Sequence, residues 1–346
     1  MNSFRTYRTL APAAALYSAA QQIRNILYDH GIFKSESFPV PVICVGNITV
    51  GGTGKTPMIQ HLIELLKDQY KVAVLSRGYR RATSGYLLAG PATTQPEIGD
   101  EPFQMHLRYP DVSVAVSEKR AIGIRNLLES VRPDVILLDD AFQHRAVRPS
   151  LSIVLTDYSR NMLDDAVIPA GRLRERVSGA SRSDIIVMTK CPAGISPGQI
   201  ESEAARYGRF GKPVFFTTLR YGSLRPLRQG AQEPAQGCAL MMTGIAEPRP
   251  MREHLKDLGF TVSELTFPDH HTFSNDDVMK MAAALEKAGR GAIMITTEKD
   301  AARLSAISMP DTLADRTFIL PVDAQFVQNG TQFDNMITEH IRNFNR

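Results

Sequence analysis

The chain has 346 residues, 43% of them apolar, which is enough for two domains with ordinary cores. Its 40 Lys and Arg face 36 Asp and Glu. The net charge of +4 is too small to argue for bulk nucleic-acid binding, though local basic clusters can serve a phosphorylated ligand or an anionic membrane surface. The three cysteines, Cys44, Cys191 and Cys238, are far apart and offer no metal spacing; they fit inert thiols in a reducing compartment.

At the N-terminus, two early arginines precede an Ala-rich run broken by Pro12, a poor signal peptide. No stretch reaches the roughly 20 apolar residues that span a bilayer. Leu16, Ala19, Ala20, Ile23, Ile26 and Leu27 recur at helical spacing on one face. Such a helix either packs on the body of the protein or rests on a membrane surface.

From residue 41 the chain alternates short continuous apolar runs with helical patterns. Strands are expected at 41–46, 71–76, 112–116, 134–140, 151–157 and 184–190, with helices such as 57–69 and 119–131 between them. This is the pattern of a parallel sheet covered on both faces. A second series, 213–220, 238–245, 261–267, 291–298 and 317–322, follows a stretch rich in Gly, Pro and Gln, so the domain change is expected near 215–237. The final residues read as a helix free to pack on either half.

The first strand runs into "VGNITVGGTGKTP" (45–57). The usual phosphate loop, G-x-x-x-x-G-K-[ST], would have Gly where this chain has Thr49. Its context still suits a phosphate: Gly51, Gly52 and Gly54 let backbone N–H groups turn toward an anion, and a helix N-terminus adds its positive end. Lys55 would reach the β- and γ-phosphates and the Thr56 hydroxyl a magnesium ion. "IGDEPFQM" (98–105) sets Asp100 where it either caps a helix or accepts a proton. "DVILLDDAFQH" (134–144) ends a buried strand in Asp139 and Asp140, the place for a metal-holding carboxylate or a turn.

The basic clusters 76–81, 117–120 and 170–176 are each ordinary surface charge, yet together they favour an anionic substrate. "VMTKCP" (187–192) resembles a guanine-reading motif but has Pro192 where that motif needs Asp. In "FPDHHTFS" (267–274) the histidines stand too close together for a metal site of their own, but one of them can orient a carboxylate across a cleft. "TTEKDAARL" (296–304) fits the capped start of a helix.

"VGNITVGGTGKTP", "LSRGYRR", "GDEP", "ILLDDAFQH", "IPAGRLRE", "FPDHHTF" and "TTEKDAARL" occur together and in order, and the set closely resembles the tetraacyldisaccharide 4′-kinases, the lipid A kinases of Gram-negative bacteria. That family's loop carries Ser or Thr at the place of Thr49. The resemblance implies a P-loop NTPase-like α/β/α sandwich with a second, smaller α/β/α domain and a β linker. It implies a membrane-associating helix in 1–36, a kinase domain over 37–215 and the smaller domain over 216–346. It further implies a peripheral enzyme on the cytoplasmic face of the inner membrane that uses ATP and Mg²⁺ to phosphorylate a lipid disaccharide 1-phosphate.

Carried over by motif, Thr49, Gly51, Gly52, Thr53, Gly54, Lys55 and Thr56 bind the nucleotide. Thr56, Asp139 and Asp140 hold the metal. Lys55 and Asp100 are catalytic, with His270 the dyad partner of Asp100 and His271 its alternative. Arg77, Arg120, His144, Arg174 and Glu175 match positions near the substrate headgroup. Readings from other classes are a nucleotide-switched binding protein, which has no need of Asp100 and His270, and a soluble kinase of a small metabolite, which has no need of the N-terminal helix.

Overall fold

The computed structural model describes residues 7–228, 237–289 and 291–344. The strands of the first half are β1 (Val42–Asn47), β2 (Val72–Ser76), β3 (Leu87–Leu88), β4 (Ser113–Val116), β5 (Val135–Asp139), β6 (Leu151–Asp157), β7 (Ile185–Thr189) and β8 (Val214–Tyr221). Then come β9 (Arg225–Pro226), β10 (Cys238–Thr243), β11 (Thr261–Thr266), β12 (Ile293–Thr297), β13 (Thr317–Leu320) and β14 (Val322–Gln328). Among the described residues they form a nine-stranded sheet, β14-β8-β7-β6-β1-β5-β2-β4-β3, and a five-stranded one, β11-β10-β12-β13-β9. Every residue of β1, β2, β5, β6 and β7 is buried, which is why these runs are continuously apolar. Apart from the pairs β14–β8, β3–β4 and β13–β9, the strands are parallel.

The helices are α1 (Ala11–Asp29), α2 (Lys55–Leu66), α3 (Gln95–Ile98), α4 (Asp100–Arg108), α5 (Arg120–Ser130), α6 (Pro197–Arg206), α7 (Arg249–Asp257), α8 (Asn275–Ala288), α9 (Glu298–Leu304), α10 (Asp311–Ala314) and α11 (Gly330–Asn343). α2 and α11 pack on one face of the large sheet, α5 and α6 on the other. The smaller sheet has α8, α9 and α10 on one face and α7 on the other. Both units are therefore α/β/α layers.

The expected division at 215/216 falls inside β8. That strand, grouped in sequence with the second series, extends the large sheet beside β7, because α6 before it completes one more strand–helix unit. The chain also returns. The run 317–322 splits at Pro321, which cannot donate to a ladder, and β14 pairs antiparallel with β8. Gly222 N–H donates to Pro321 O at 3.0 Å, so the two crossings run side by side as a ribbon between the sheets. α11 then buries Phe333, Ile337 and Ile341, spaced four apart, in the large unit. Each such side chain contributes roughly 1.5–3 kcal/mol on burial, which fixes the last helix there.

α1 is inverted for a helix docked on a protein. Ala14 and Ser18 face inward. The docking is polar: Arg176 Nε donates to Ser18 Oγ at 2.7 Å, Arg24 to Gln143 O at 2.9 Å, and Arg145 to Asn25 O at 2.9 Å. Leu16, Ile23 and Ile26 are 75%, 60% and 51% exposed, and Ala19 and Ala20 lie open beside them. Of the expected apolar face only Leu27 is half-buried. Among the described residues no helix is long and apolar enough to cross a membrane.

Candidate active site

The loop after β1 wraps over the start of α2. Gly54 caps that helix at φ 82°, a left-handed conformation suited to glycine, and a Cβ there would lie 3.3 Å from Thr189. Asn47 Nδ2 donates to Thr53 Oγ1 at 2.5 Å, and Thr189 Oγ1 donates to Thr53 O at 2.8 Å. Lys190 donates to Gly52 O and pairs with Asp157 at 2.9 Å. The Thr-Lys of "VMTKCP" thus braces the loop from β7. Thr49 is buried and bridges Leu173 antiparallel, with Val50 N–H on Arg172 O at 2.9 Å and Arg174 N–H on Ile48 O at 2.7 Å. Where a generic loop has glycine, this one forms a short ladder with "IPAGRLRE". Gly51, Gly52 and Thr56 lie on the accessible side of the loop.

That ladder delivers Arg174 to the end of β5. Its Nη1 stands 3.0 and 3.1 Å from the two oxygens of Asp140, and Lys55 Nζ is 3.8 Å from Oδ1. Burial pushes Asp140 toward its neutral form, but the charges of Lys55 and Arg174 outweigh it and hold the carboxyl below its usual range. Asp139 is the opposite case. Burial, then the neighbouring carboxylates of Glu101 and Asp140, push it up to about 7. Ser76 donates to its Oδ2 at 3.0 Å, while among the described residues its buried Oδ1 has no partner.

Arg120 is 2% exposed and donates to Ser117 O at 2.6 Å and to Asp139 O at 3.1 Å. Burial lowers it to about 10, still protonated at neutral pH. His144 is pushed down to about 4 by burial, then by the charges of Arg120 and Arg77, so it presents a neutral imidazole. Arg77 is exposed. Glu175 is buried, its carboxylate taken up by Arg182 at 2.9 Å, Gln143 at 3.1 Å and Asn25 at 3.4 Å. It thereby ties α1 to the loop at 175–182. Cys44 and Cys191 are buried and pushed up to about 12 by desolvation, so both stay as thiols, while Cys238 is exposed.

Across from this half stands the second constellation. Gly99, at φ 90° with Tyr79 O 3.0 Å from where a Cβ would stand, turns the chain into α4 and sets Asp100 at its first position. Asp100 does not cap the helix. Its Oδ2 meets His270 Nδ1 at 3.0 Å, although 170 residues separate them. Of the two histidines, His270 is therefore the one that reaches Asp100. His271 bonds Asp277 at 2.9 Å and stacks on Phe267. With Nδ1–H donating to Asp100, His270 Nε2 accepts from Lys299 at 3.5 Å.

Two further groups complete the site, and both are absent from the sequence reading. Gln95 donates to Asp100 Oδ1 at 2.7 Å, and Arg303 donates to Oδ2 through Nη2 at 2.6 Å and Nε at 3.0 Å. "TTEKDAARL" does start a capped helix: Thr297 Oγ1 accepts from Asp300 N–H at 3.0 Å. The signal passed over there was the Lys299/Arg303 pair, four apart and so on one helix face. Burial favours the neutral form of Asp100, but bonds and charge from Arg303, then His270 and Lys299, keep it below the usual carboxylate range.

A phosphate loop ending in lysine, an acidic strand end and a carboxylate–histidine pair shared between the two units define a phosphotransferase of the P-loop class. The model of the tetraacyldisaccharide-1-P 4′-kinase family matches residues 6–342. The chain belongs to that family. It is 42% identical to the tetraacyldisaccharide 4′-kinase of Bacteroides thetaiotaomicron, over 98% of this chain and 94% of the relative. It is 43% identical to that of Parabacteroides distasonis, over 96% and 94%. Among solved structures, LpxK from Aquifex aeolicus in complex with ATP superposes with a TM-score of 0.74 at 31% identity, covering 96% of this chain and 98% of that one.

Proposed function

We propose that the protein transfers the γ-phosphoryl group of ATP to the 4′-hydroxyl of a tetra-acylated disaccharide 1-phosphate, giving lipid IVA in lipid A biosynthesis. The observation that carries this reading is the Asp100–His270 contact at 3.0 Å, joining two units, in a chain whose phosphate loop sets Lys55 3.8 Å from Asp140 at the acidic end of β5. A nucleotide switch has no use for such a pair. ATP lies with its phosphates in the loop from Thr49 to Thr56, and Lys55 leaves Asp140 for the β- and γ-phosphates. Asp100 takes the hydroxyl proton as the hydroxyl oxygen bonds the γ-phosphorus and ADP departs.

The donors fit magnesium. Asp139 has a buried oxygen without a partner among the described residues, and Asp140 and the Thr56 hydroxyl add hard oxygens. Among the described residues no three His, Cys, Asp or Glu side chains cluster tightly enough to hold a metal alone, as suits an ion completed by nucleotide phosphates and water. Bound there, magnesium would neutralise phosphate charge. Arg77, neutral His144 and Arg174 face the anionic sugar headgroup, with Glu175 holding that wall to α1; Arg120, expected there from the family motif, is buried and braces the strand end from behind through Ser117 O and Asp139 O. The outward face of α1, Leu16, Ile23 and Ile26, rests on the cytoplasmic surface of the inner membrane, where the acyl chains remain.

The test incubates the protein with γ-labelled ATP, Mg²⁺ and the disaccharide 1-phosphate lipid in detergent micelles. Label should enter lipid only, and Lys55→Ala should reduce transfer by about 10²–10³-fold, the scale for losing a charge-stabilising donor. Label released as phosphate at the same rate without lipid would instead support a nucleotide switch.

A further inference from the structure

Asp100 belongs to the larger unit, but most of its partners come from the smaller one. Bonded to it are Arg303 on α9, His270 after β11 and Gln95 on α3, with Lys299 of α9 adding its charge and Glu101 next in sequence; Asp300 pairs with Arg303, and Asp269 with Lys299. Arg303 is the tightest of these and is 5% exposed. Two of its nitrogens grip one oxygen of Asp100, at 2.6 and 3.0 Å. Its third nitrogen, Nη1, is anchored in the smaller unit on Gly244 O at 3.0 Å and Asp300 Oδ1 at 2.8 Å. Asp300 is fully buried and receives Gly244 N–H at 2.9 Å and the Thr297 hydroxyl at 2.8 Å. The planar guanidinium thus has every edge occupied and little freedom to turn.

Oδ2 of Asp100 accepts two bonds from Arg303 and one from His270, whereas Oδ1 accepts one, from Gln95. A carboxylate has about four lone-pair sites, two on each oxygen. Oδ2, with three donors sharing its two sites, has none to spare, and Oδ1 keeps a free lone pair. We propose that Arg303 is a positioning residue for phosphoryl transfer: by holding Oδ2 from the smaller unit, it leaves Oδ1 to take the acceptor's proton and assembles the base only when the two units meet. This rests on Asp100 being the base. Arg303 itself exchanges no proton; the hydroxyl proton passes to Oδ1, the new P–O bond forms, and the γ-phosphorus–bridging oxygen bond breaks with its electron pair leaving on ADP.

The test compares Arg303→Ala, Arg303→Lys, Asp100→Ala and Arg303→Ala/Asp100→Ala by kcat and by KM for ATP, at saturating lipid in micelles. Arg303→Ala should lower kcat by about 10²-fold, the scale of a misplaced reacting group, with KM for ATP unchanged. Added guanidinium should restore part of that loss in Arg303→Ala and none in Asp100→Ala. Arg303→Lys keeps the charge without the fork and should fall about tenfold, giving a reading even if the alanine variant folds poorly. The double variant should be no slower than Asp100→Ala alone. Wild-type kcat in Arg303→Ala, or a loss that multiplies that of Asp100→Ala and does not respond to guanidinium, would overturn the positioning role. Near-normal kcat in Asp100→Ala would overturn the base and this inference with it.

Discussion

The two halves of the active site are built by opposite strategies. The nucleotide half lies within one unit: β1, β5 and β7 lie in one sheet, and their C-terminal ends supply the loop, the paired acids and the Thr189–Lys190 brace. Its geometry is fixed once the parallel sheet forms. The acceptor half has no such frame. Asp100 comes from one unit, His270, Lys299 and Arg303 from the other, and the units are joined by a two-stranded ribbon at Gly222 and Pro321. The nucleotide loop is thus set by a single sheet, while the surroundings of Asp100 depend on how the units meet.

Point substitutions should separate the halves cleanly. Asp100→Ala is expected to lower kcat by about 10²-fold or more, the usual scale for a lost general base, while ATP affinity by equilibrium titration stays near wild type. Lys55→Ala should weaken both. If Asp100→Ala lost ATP affinity as severely as turnover, the halves would not be separable, and the contrast drawn from the two sheets would fail.

Neither half uses the outer face of α1, so a change there should spare both. Leu16→Glu combined with Ile23→Glu alters two side chains that are 75% and 60% exposed. Stability should shift by no more than about 0.5 kcal/mol. Co-sedimentation with vesicles of phosphatidylethanolamine and phosphatidylglycerol should fall about tenfold or more, since each apolar side chain withdrawn from a lipid interface loses on the order of 1.5 kcal/mol and the new carboxylates are repelled. Turnover of lipid presented in detergent micelles should change little. Undiminished vesicle binding would return α1 to an ordinary surface helix.

The same division explains what could be read from the residues in order. Six parallel strands of the large sheet and the nucleotide half were legible because their signals are contiguous: an apolar run, then glycines, then Lys55 and Thr56, and an apolar run ending in Asp139 and Asp140. The sheet to which Val214–Tyr221 belongs was not legible, because pairing partners depend on topology and not on the run itself. The family resemblance placed Asp100 opposite His270; composition and spacing alone left Asp100 undecided between a cap and a base. Arg303 escaped because its partners Asp100 and Gly244 lie 203 and 59 residues away, and an Arg four residues after a Lys on a short helix carries no local mark of burial. α1 shows the converse. Its apolar stripe was plain, but a stripe does not say whether protein or membrane covers it, and only the polar contacts of Ser18, Arg24 and Asn25 show which face is turned inward.

The weakest effect expected is also the most specific to the acceptor half. In the folded protein the Asp100 carboxyl is held below its ordinary value of 3.8, because Arg303 and His270 offset the cost of its burial. A group whose folded pKa is depressed stabilises the fold fully above its unfolded pKa, and that stabilisation fades as pH falls through the folded value. The clasp between the units should therefore contribute a constant amount from pH 8 to about pH 5, begin to fade near the ordinary value of 3.8 and be lost as pH falls through the lower folded value. The measurement is the difference in Tm between wild type and Asp100→Ala across that range, with about 2 °C expected for each kcal/mol. The gap should be flat at neutral pH and should close only in acid. A gap that instead widened as pH fell from 7 to 5 would mean that histidine protonation, which strengthens its hold on the carboxylate, governs the clasp. The ion pair with Arg303 would then be secondary to the contact with His270.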